Sequence, residues 1–252
     1  MANFVLVHGA FTGGWYWSRV RPLLQAAGHE VFTPSLTGAG ERAHLLSRGV
    51  TLETHITDVV NLLRYEDLRE VVLVGHSYGG MVITGVADRA AERLSRLVYL
   101  DAAVPANGQN ATGGFSEGTG DVLDAMAGGA DDTSWLLPPL PLLAYGVTDP
   151  ADVAWIGERR VPHPLPTLSE AIRLQHGEPR GLPRTYVRCT RREGLVQVFG
   201  ADPLQPMFEK AVADGFEILT IDSGHDAMVI APGDVARALL AAAGSGARDV
   251  RA

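Results

Sequence analysis

Val71-Val72-Leu73-Val74-Gly75-His76-Ser77-Tyr78-Gly79-Gly80 is the stretch on which the reading of this chain turns. A short continuous apolar run with no polar alternation reads as a strand covered on both faces, and therefore as part of a parallel sheet. The residues that follow, Met81-Val82-Ile83-Thr84-Gly85-Val86-Ala87, read as helix. Between the two stands the pattern G-x-S-x-G at Gly75, Ser77 and Gly79. On a strand-to-helix turn, flanking glycines leave room for the tight backbone, and the Ser77 hydroxyl is lifted clear of the sheet at a helix N-terminus. There the amide of Tyr78 can face a developing oxyanion. Without the strand and the helix, the same five residues are an ordinary serine in a glycine-rich turn.

Outward from this point the pattern repeats. Residues 3–8 form an apolar run ended by Gly9, and Trp15, Trp17, Val20, Leu23, Leu24 and Ala27 recur at helical spacing until Gly28. His29–Pro34 gives a second strand, and Leu52, Ile56, Val59, Val60 and Leu63 mark a helix over 52–66. Further helices are expected at 78–90, 203–213 and 231–242, with strands at 96–101, 184–189 and 216–222. Alternation of this kind implies an α/β chain with a doubly wound, mostly parallel sheet and right-handed crossovers. Residues 105–183 break the rhythm with prolines, a Gly-rich stretch at 113–130 and short apolar pieces around Trp135 and Trp155. An insert there reads as a cap over the C-terminal edge of the sheet, where such folds bind ligands. The expected division is a core of 1–104 and 184–243, a cap of 105–183 and a flexible tail of 244–252.

Composition narrows the classes. The chain has 252 residues, 46% hydrophobic and 20% charged, enough for a full core and too apolar for disorder. A formal net charge of -8 lacks the basic face a nucleic-acid partner needs, so a small or neutral partner is expected. No apolar run approaches the roughly 18 residues of a membrane span, and the first ten residues read as strand rather than signal peptide, which points to the cytoplasm. Cys189, the sole cysteine, cannot form an internal disulfide, and no Cys/His spacing suggests a metal. Gly38 and Gly40 make no phosphate fingerprint, so no cofactor is implied. Monomer and homodimer both stay open.

Ser77 needs a proton acceptor to attack at neutral pH. The loop after the last strand supplies His225 in Ser223-Gly224-His225, as the chain order of the elbow requires. A second oxyanion donor is expected from the Ala10 amide in His8-Gly9-Ala10-Phe11, with His8 itself ordering the loop. The carboxylate that would orient the base has two candidates. Asp101 ends the strand that follows the elbow helix; Glu193 follows the strand 184–189, beside Arg191 and Arg192. A Ser-His pair without an acid is the third option. Phe11 and Trp135, with Trp15, Tyr78 and Trp155, are the aromatics available to line a substrate pocket, against the plain alternative that they are core.

Together the elbow, the segment Val5–Val31 and the segment Thr220–Met228 resemble the plant methylesterase and hydroxynitrile lyase group of the α/β-hydrolase fold, and related actinobacterial α/β hydrolases. The resemblance covers 3–101 and 184–240 and implies an esterase acting on small, often aromatic, carboxylic esters through an acyl-enzyme on Ser77, with His225 as base. Two residues depart from the group. Arg192 stands where the group carries its acid, which turns attention to Asp101 in an arrangement like that of pancreatic lipase. Asp226 stands where hydroxynitrile lyases carry a lysine, and an anion there repels departing cyanide. The alternatives are a lyase or cyclase of natural-product metabolism on the same scaffold, for which the Arg192 substitution speaks, and a binding protein, against which intact Ser77 and His225 count.

Overall fold

The computed structural model describes residues 1–127, 133–177 and 181–245; of the tail expected at 244–252, residues 244 and 245 are helical, while 246–252 and part of the Gly-rich stretch lie outside the described residues. The strands are β1 (Asn3–Val7), β2 (Glu30–Phe32), β3 (Val71–His76), β4 (Leu94–Leu100), β5 (Leu136–Leu137), β6 (His163–Pro164), β7 (Arg184–Cys189) and β8 (Glu217–Ile221). Six of them form one sheet in the order β2-β1-β3-β4-β7-β8, every pair parallel, while β5 and β6 form a short antiparallel pair. The order reverses between β1 and β3, and at such a switch point the loops at the strand C-termini part to leave a crevice.

The period-2 alternation of strand side chains separates two buried clusters, one on each face of the sheet. Val5, Val7, Leu73, Leu97, Tyr99 and Tyr186 belong to one; Phe4, Leu6, Val72, Val74, Val98, Leu100 and Val187 belong to the other. Helices α1 (Arg21–Ala26), α9 (Ala227–Ile230) and α10 (Pro232–Ser245) contribute apolar residues to the second cluster. Helices α2 (Leu52–Tyr65), α3 (Gly79–Ala90) and α8 (Gln205–Ala213) contribute to the first. Thr51 and Thr54 close a capping box at the start of α2, and Leu52, Ile56, Val59 and Leu63 put its apolar stripe inward.

The helix expected over Trp15–Ala27 is instead a 3₁₀ turn, Gly14–Trp17, followed by the short α1, because Pro22 lacks the amide a continuous helix would need there. Between β4 and β7 lie α4 (Thr119–Ala127), α5 (Pro150–Gly157) and α6 (Leu165–Ser169), and α7 (Glu193–Phe199) follows β7. Ala111, Leu123, Leu137, Leu140, Leu168 and Ile172 are buried in the same cluster as Val7 and Tyr99.

Candidate active site

The turn at Ser77 is strained as the sequence pattern requires. Ser77 has φ of +54°, in the left-handed region, which costs a side-chain-bearing residue about 1–3 kcal/mol and persists only where the surroundings hold it. They do so through the motif glycines. A Cβ on Gly79 would lie 2.9 Å from the carbonyl oxygens of Val7 and His8, and one on Gly75 would lie 2.6 Å from that of Gly79. The Ser77 amide donates to Leu100 O at 3.3 Å, and the Ser77 carbonyl accepts from Ala103 at 3.0 Å. Phe11 (φ +67°) after β1 and Asp101 (φ +45°) at the end of β4 share this left-handed geometry, so three neighbouring strand ends each carry a strained residue.

Asp101 is fully buried, and its Oδ2 lies 2.6 Å from Nδ1 of His225. The same oxygen accepts from Nη1 of Arg192 at 2.5 Å, while Oδ1 accepts from the Cys189 amide at 3.3 Å. Asp202 grips the far side of Arg192 with both oxygens, at 2.6 and 3.0 Å, and also pairs with Arg188. Burial alone would raise the Asp101 carboxyl, but the hydrogen bond to His225 and the charge of Arg192 outweigh it and hold the group well below the usual carboxylate range. The carboxylate is therefore charged at any working pH and keeps the second ring nitrogen of His225 turned away from it.

His225 is seated by backbone contacts. Its carbonyl faces Nε2 of His76 at 3.1 Å, and the next amide, Asp226 N–H, donates to Tyr145 O at 3.2 Å. Burial pushes His76 well below its ordinary range, so its ring is neutral. His76, His225 and Asp226 are the one group of side chains among the described residues whose potential metal-ligand atoms converge, within 4.8 Å. With Nδ1 of His225 facing Asp101 and Nε2 of His76 facing a carbonyl, the group is organised around the base.

Two spaces meet at Ser77 and His225. A small polar lobe is bounded by Gly9, Ala10, Thr12, Tyr16, His76, Tyr145, Arg160 and Asp226. An apolar lobe of about 580 Å³ is bounded by Tyr78, Ala111, Phe115, Leu123, Leu137, Leu140, Leu168, Leu195, Phe199 and Leu204. Ala10, Phe11 and Tyr145 border both. Among the described residues, neither the Ala10 nor the Tyr78 amide donates to a backbone carbonyl, which leaves two donors beside the serine.

With this geometry stands a sequence match over residues 4–238 to the model of the alpha/beta hydrolase family. The chain belongs to that family. It is 39% identical over 251 residues to the carbendazim hydrolyzing esterase of Nocardioides sp. (strain SG-4G), covering 96% of this chain and 99% of that one. It is 28% identical to salicylic acid-binding protein 2 of Nicotiana tabacum, over 94% and 95% of the two chains. Among solved structures, an extracellular α/β-hydrolase from a Paenibacillus species superposes with a TM-score of 0.82 at 22% identity, over 96% and 99% of the chains, a likeness of fold.

Within this hydrolase the residues singled out from sequence sort unevenly. Ser77, His225, Ala10, Tyr78 and Phe11 come together at the two lobes, and Asp101 stands behind His225 without bordering either. Glu193 does not: it is exposed in the first turn of α7, because α7 starts at that residue and turns it outward, while Arg192 turns in toward Asp101. Trp135 does not border either lobe. It is held against Arg48, 5.5 Å from the guanidinium, while its chain neighbours Leu137 and Leu140 take the lobe wall. Trp15 and Trp155 pack edge to face at 5.0 Å, away from both lobes. His8 orders its loop: Nε2 accepts from Leu36 N–H at 3.0 Å, so Nδ1 carries the proton toward Gly9 O at 2.7 Å. His55 is buried on α2 and accepts from the Tyr78 hydroxyl at 2.9 Å. Sequence reasoning missed Asp202, Arg188 and Tyr145, which acquire meaning only once Arg192 and His225 are placed in space.

Proposed function

We propose that this hydrolase is a carboxylesterase that cleaves small, largely apolar or aromatic esters through an acyl-enzyme on Ser77. The observation that carries the reading is the 2.6 Å contact of His225 Nδ1 with the buried Asp101 carboxylate, beside a serine held in a strained turn where two lobes meet. His225 Nε2 takes the proton of Ser77 Oγ as that oxygen bonds to the ester carbon. The carbonyl electrons move onto its oxygen, which the amides of Ala10 and Tyr78 stabilise. When the tetrahedral centre collapses, the C–O bond to the alcohol breaks and His225 returns the proton to the departing oxygen. Water then repeats the sequence on the acyl-enzyme and frees the acid and Ser77. Asp101 stays ionised throughout and balances the imidazolium.

The apolar lobe, walled largely by the segment between β4 and β7 acting as a cap, supports an apolar acyl group or alcohol as the larger half of the substrate. Similarity to the carbendazim hydrolyzing esterase supports hydrolysis over lyase chemistry, and Asp226 disfavours release of an anion such as cyanide. The test is labelling by a fluorophosphonate together with hydrolysis of p-nitrophenyl acetate. Labelling at Ser77 with turnover is expected. No labelling and no turnover above Ser77→Ala would send the reading to a lyase or cyclase.

A further inference from the structure

The polar lobe contains an acid that acyl transfer does not use. Asp226 is 3% exposed and borders the lobe together with Ser77 and His225. Its Oδ2 accepts from the Tyr16 hydroxyl, and among the described residues no other side chain donates to it. Its Oδ1 stands 4.0 Å from Nε2 of His76, which is itself directed at the carbonyl of His225. An ionised carboxylate has about four acceptor positions, and burying one with a single neutral donor leaves most of that capacity unmet.

The groups that face Asp226 are Tyr16, Tyr145, His76, His225, Arg160 and Asp101. Burial is the strongest influence and pushes its carboxyl up to about 6, so the group is largely charged at neutral pH yet lacks the donors that would make it comfortable there. Arg160 borders the same lobe and brings a positive charge, with its Nε buried and unpartnered. A second cation is therefore not what the lobe lacks. What Asp226 lacks is a hydrogen-bond donor beyond the Tyr16 hydroxyl.

We propose that the polar lobe is a recognition subsite in which the Asp226 carboxylate accepts a hydrogen bond from an N–H or O–H of the substrate whose nitrogen or oxygen lies one or two bonds from its scissile carbonyl carbon. The short reach follows from the chain: Asp226 directly follows His225 and shares with it and Ser77 one small lobe. The proposal rests on the ester reading of Ser77 and His225. Specificity of this kind is strong because a site built to pair a buried polar group penalises the analogue that leaves it unpaired.

The test is binding, read by calorimetry at pH 7.5 on Ser77→Ala, with two matched pairs of esters. Methyl mandelate is compared with its α-methoxy counterpart, and methyl N-phenylcarbamate with its N-methyl counterpart. The donor-bearing member binds ten-fold or more tightly in at least one pair. Adding Asp226→Leu collapses that ratio to about one, whereas adding Tyr16→Phe keeps it. Should the leucine variant not fold, Asp226→Asn retains an acceptor without charge and lowers the ratio at least three-fold. Ratios within two-fold in both pairs, or a ratio that survives the Asp226 substitutions, overturn the subsite. Because binding is measured without turnover, a wild-type protein inert toward esters would sink the esterase reading separately.

Discussion

The two lobes that meet at Ser77 are built from different parts of the chain and under different constraints. The polar lobe is made mostly of strand ends and the loops that follow them: Gly9 to Thr12 after β1, His76 and Ser77 at the end of β3, His225 and Asp226 after β8, with Tyr16, Tyr145 and Arg160 completing it. Backbone there is strained and closely packed, so residue identity at each position is narrowly set. The apolar lobe takes its largest share from the segment between β4 and β7, with Leu195, Phe199 and Leu204 beyond it. There any apolar side chain of suitable volume closes the wall, since cores tolerate volume-conserving exchange. Chemistry is thus concentrated in the first region and substrate shape in the second, and substitutions in the two should fail in different ways.

The largest effects belong to the strand ends. Ser77→Ala removes the nucleophile and should lower kcat by about 10⁵-fold or more, and Asp101→Asn, which fits the site but favours the wrong tautomer of His225, by about 10⁴-fold. Glu193→Gln, on the exposed first turn of α7, should leave kcat within about two-fold. Steady-state hydrolysis of p-nitrophenyl acetate separates the three. An Asp101→Asn enzyme as active as wild type, with Glu193→Gln impaired, would reverse the assignment.

Next comes Arg192, which belongs to neither lobe but holds the acid from behind. Replacing it by Gln leaves Asp101 buried without its cation and Asp202 with one arginine fewer, at a cost of about 3 kcal/mol. For a chain of this length that is a fall in Tm of roughly 6–12 °C. The pH dependence follows from the depressed carboxyl. Asp101 contributes stability that is present above its ordinary value of 3.8 and is lost only as pH falls through its lower folded value. Without Arg192 that folded value moves back up, so the acid-unfolding midpoint should rise toward pH 4. An unchanged midpoint by circular dichroism would mean that His225 and the Cys189 amide hold the carboxylate unaided.

Much of this was legible in the sequence because it lies in residues whose backbone demands are local. Gly75, Gly79 and the apolar run before them specify the elbow, and the position of His225 after the last strand follows from chain order. The acid was not legible. Asp101 and Glu193 each end up near a strand terminus, and only the third dimension shows that Arg192 points inward where Glu193 points out. Trp135 illustrates the other limit. Its size marked it as a pocket residue, yet Trp135 sits in the turn before the two-residue strand Leu136–Leu137 and packs against Arg48, while Leu137 takes the lobe wall. Short elements carry too few residues for a period to be read.

Asp226 should behave oppositely to Arg192 and Asp101, although it borders the same lobe as the serine. Its carboxyl is raised, so between pH 3.8 and about 6 the folded protein keeps a proton that the unfolded chain has released, and stability falls as pH rises through that window. The accumulated penalty is about 3 kcal/mol above pH 6. Asp226→Asn removes it, so the Tm of the variant relative to wild type should climb as pH goes from 4 to 7. A difference in Tm that is flat with pH would show that Tyr16 and Arg160 already compensate the charge.

The smallest effect lies in the apolar lobe, where one wall residue should alter preference without altering chemistry. Leu140 is buried and borders that lobe, and Leu140→Ala removes about three carbons from the wall. Each methylene a substrate buries is worth about 0.8 kcal/mol, or roughly four-fold in binding. In a series of p-nitrophenyl esters from acetate to octanoate, the optimum of kcat/KM should therefore move one or two methylenes longer, while acetate, too short to reach the new space, loses no more than about three-fold. The rate of Ser77 labelling by a small fluorophosphonate should stay within two-fold, since the strand ends are untouched. If the optimum stays in place while labelling slows, Leu140 supports the elbow rather than the substrate, and the division of labour between the two lobes fails at that residue.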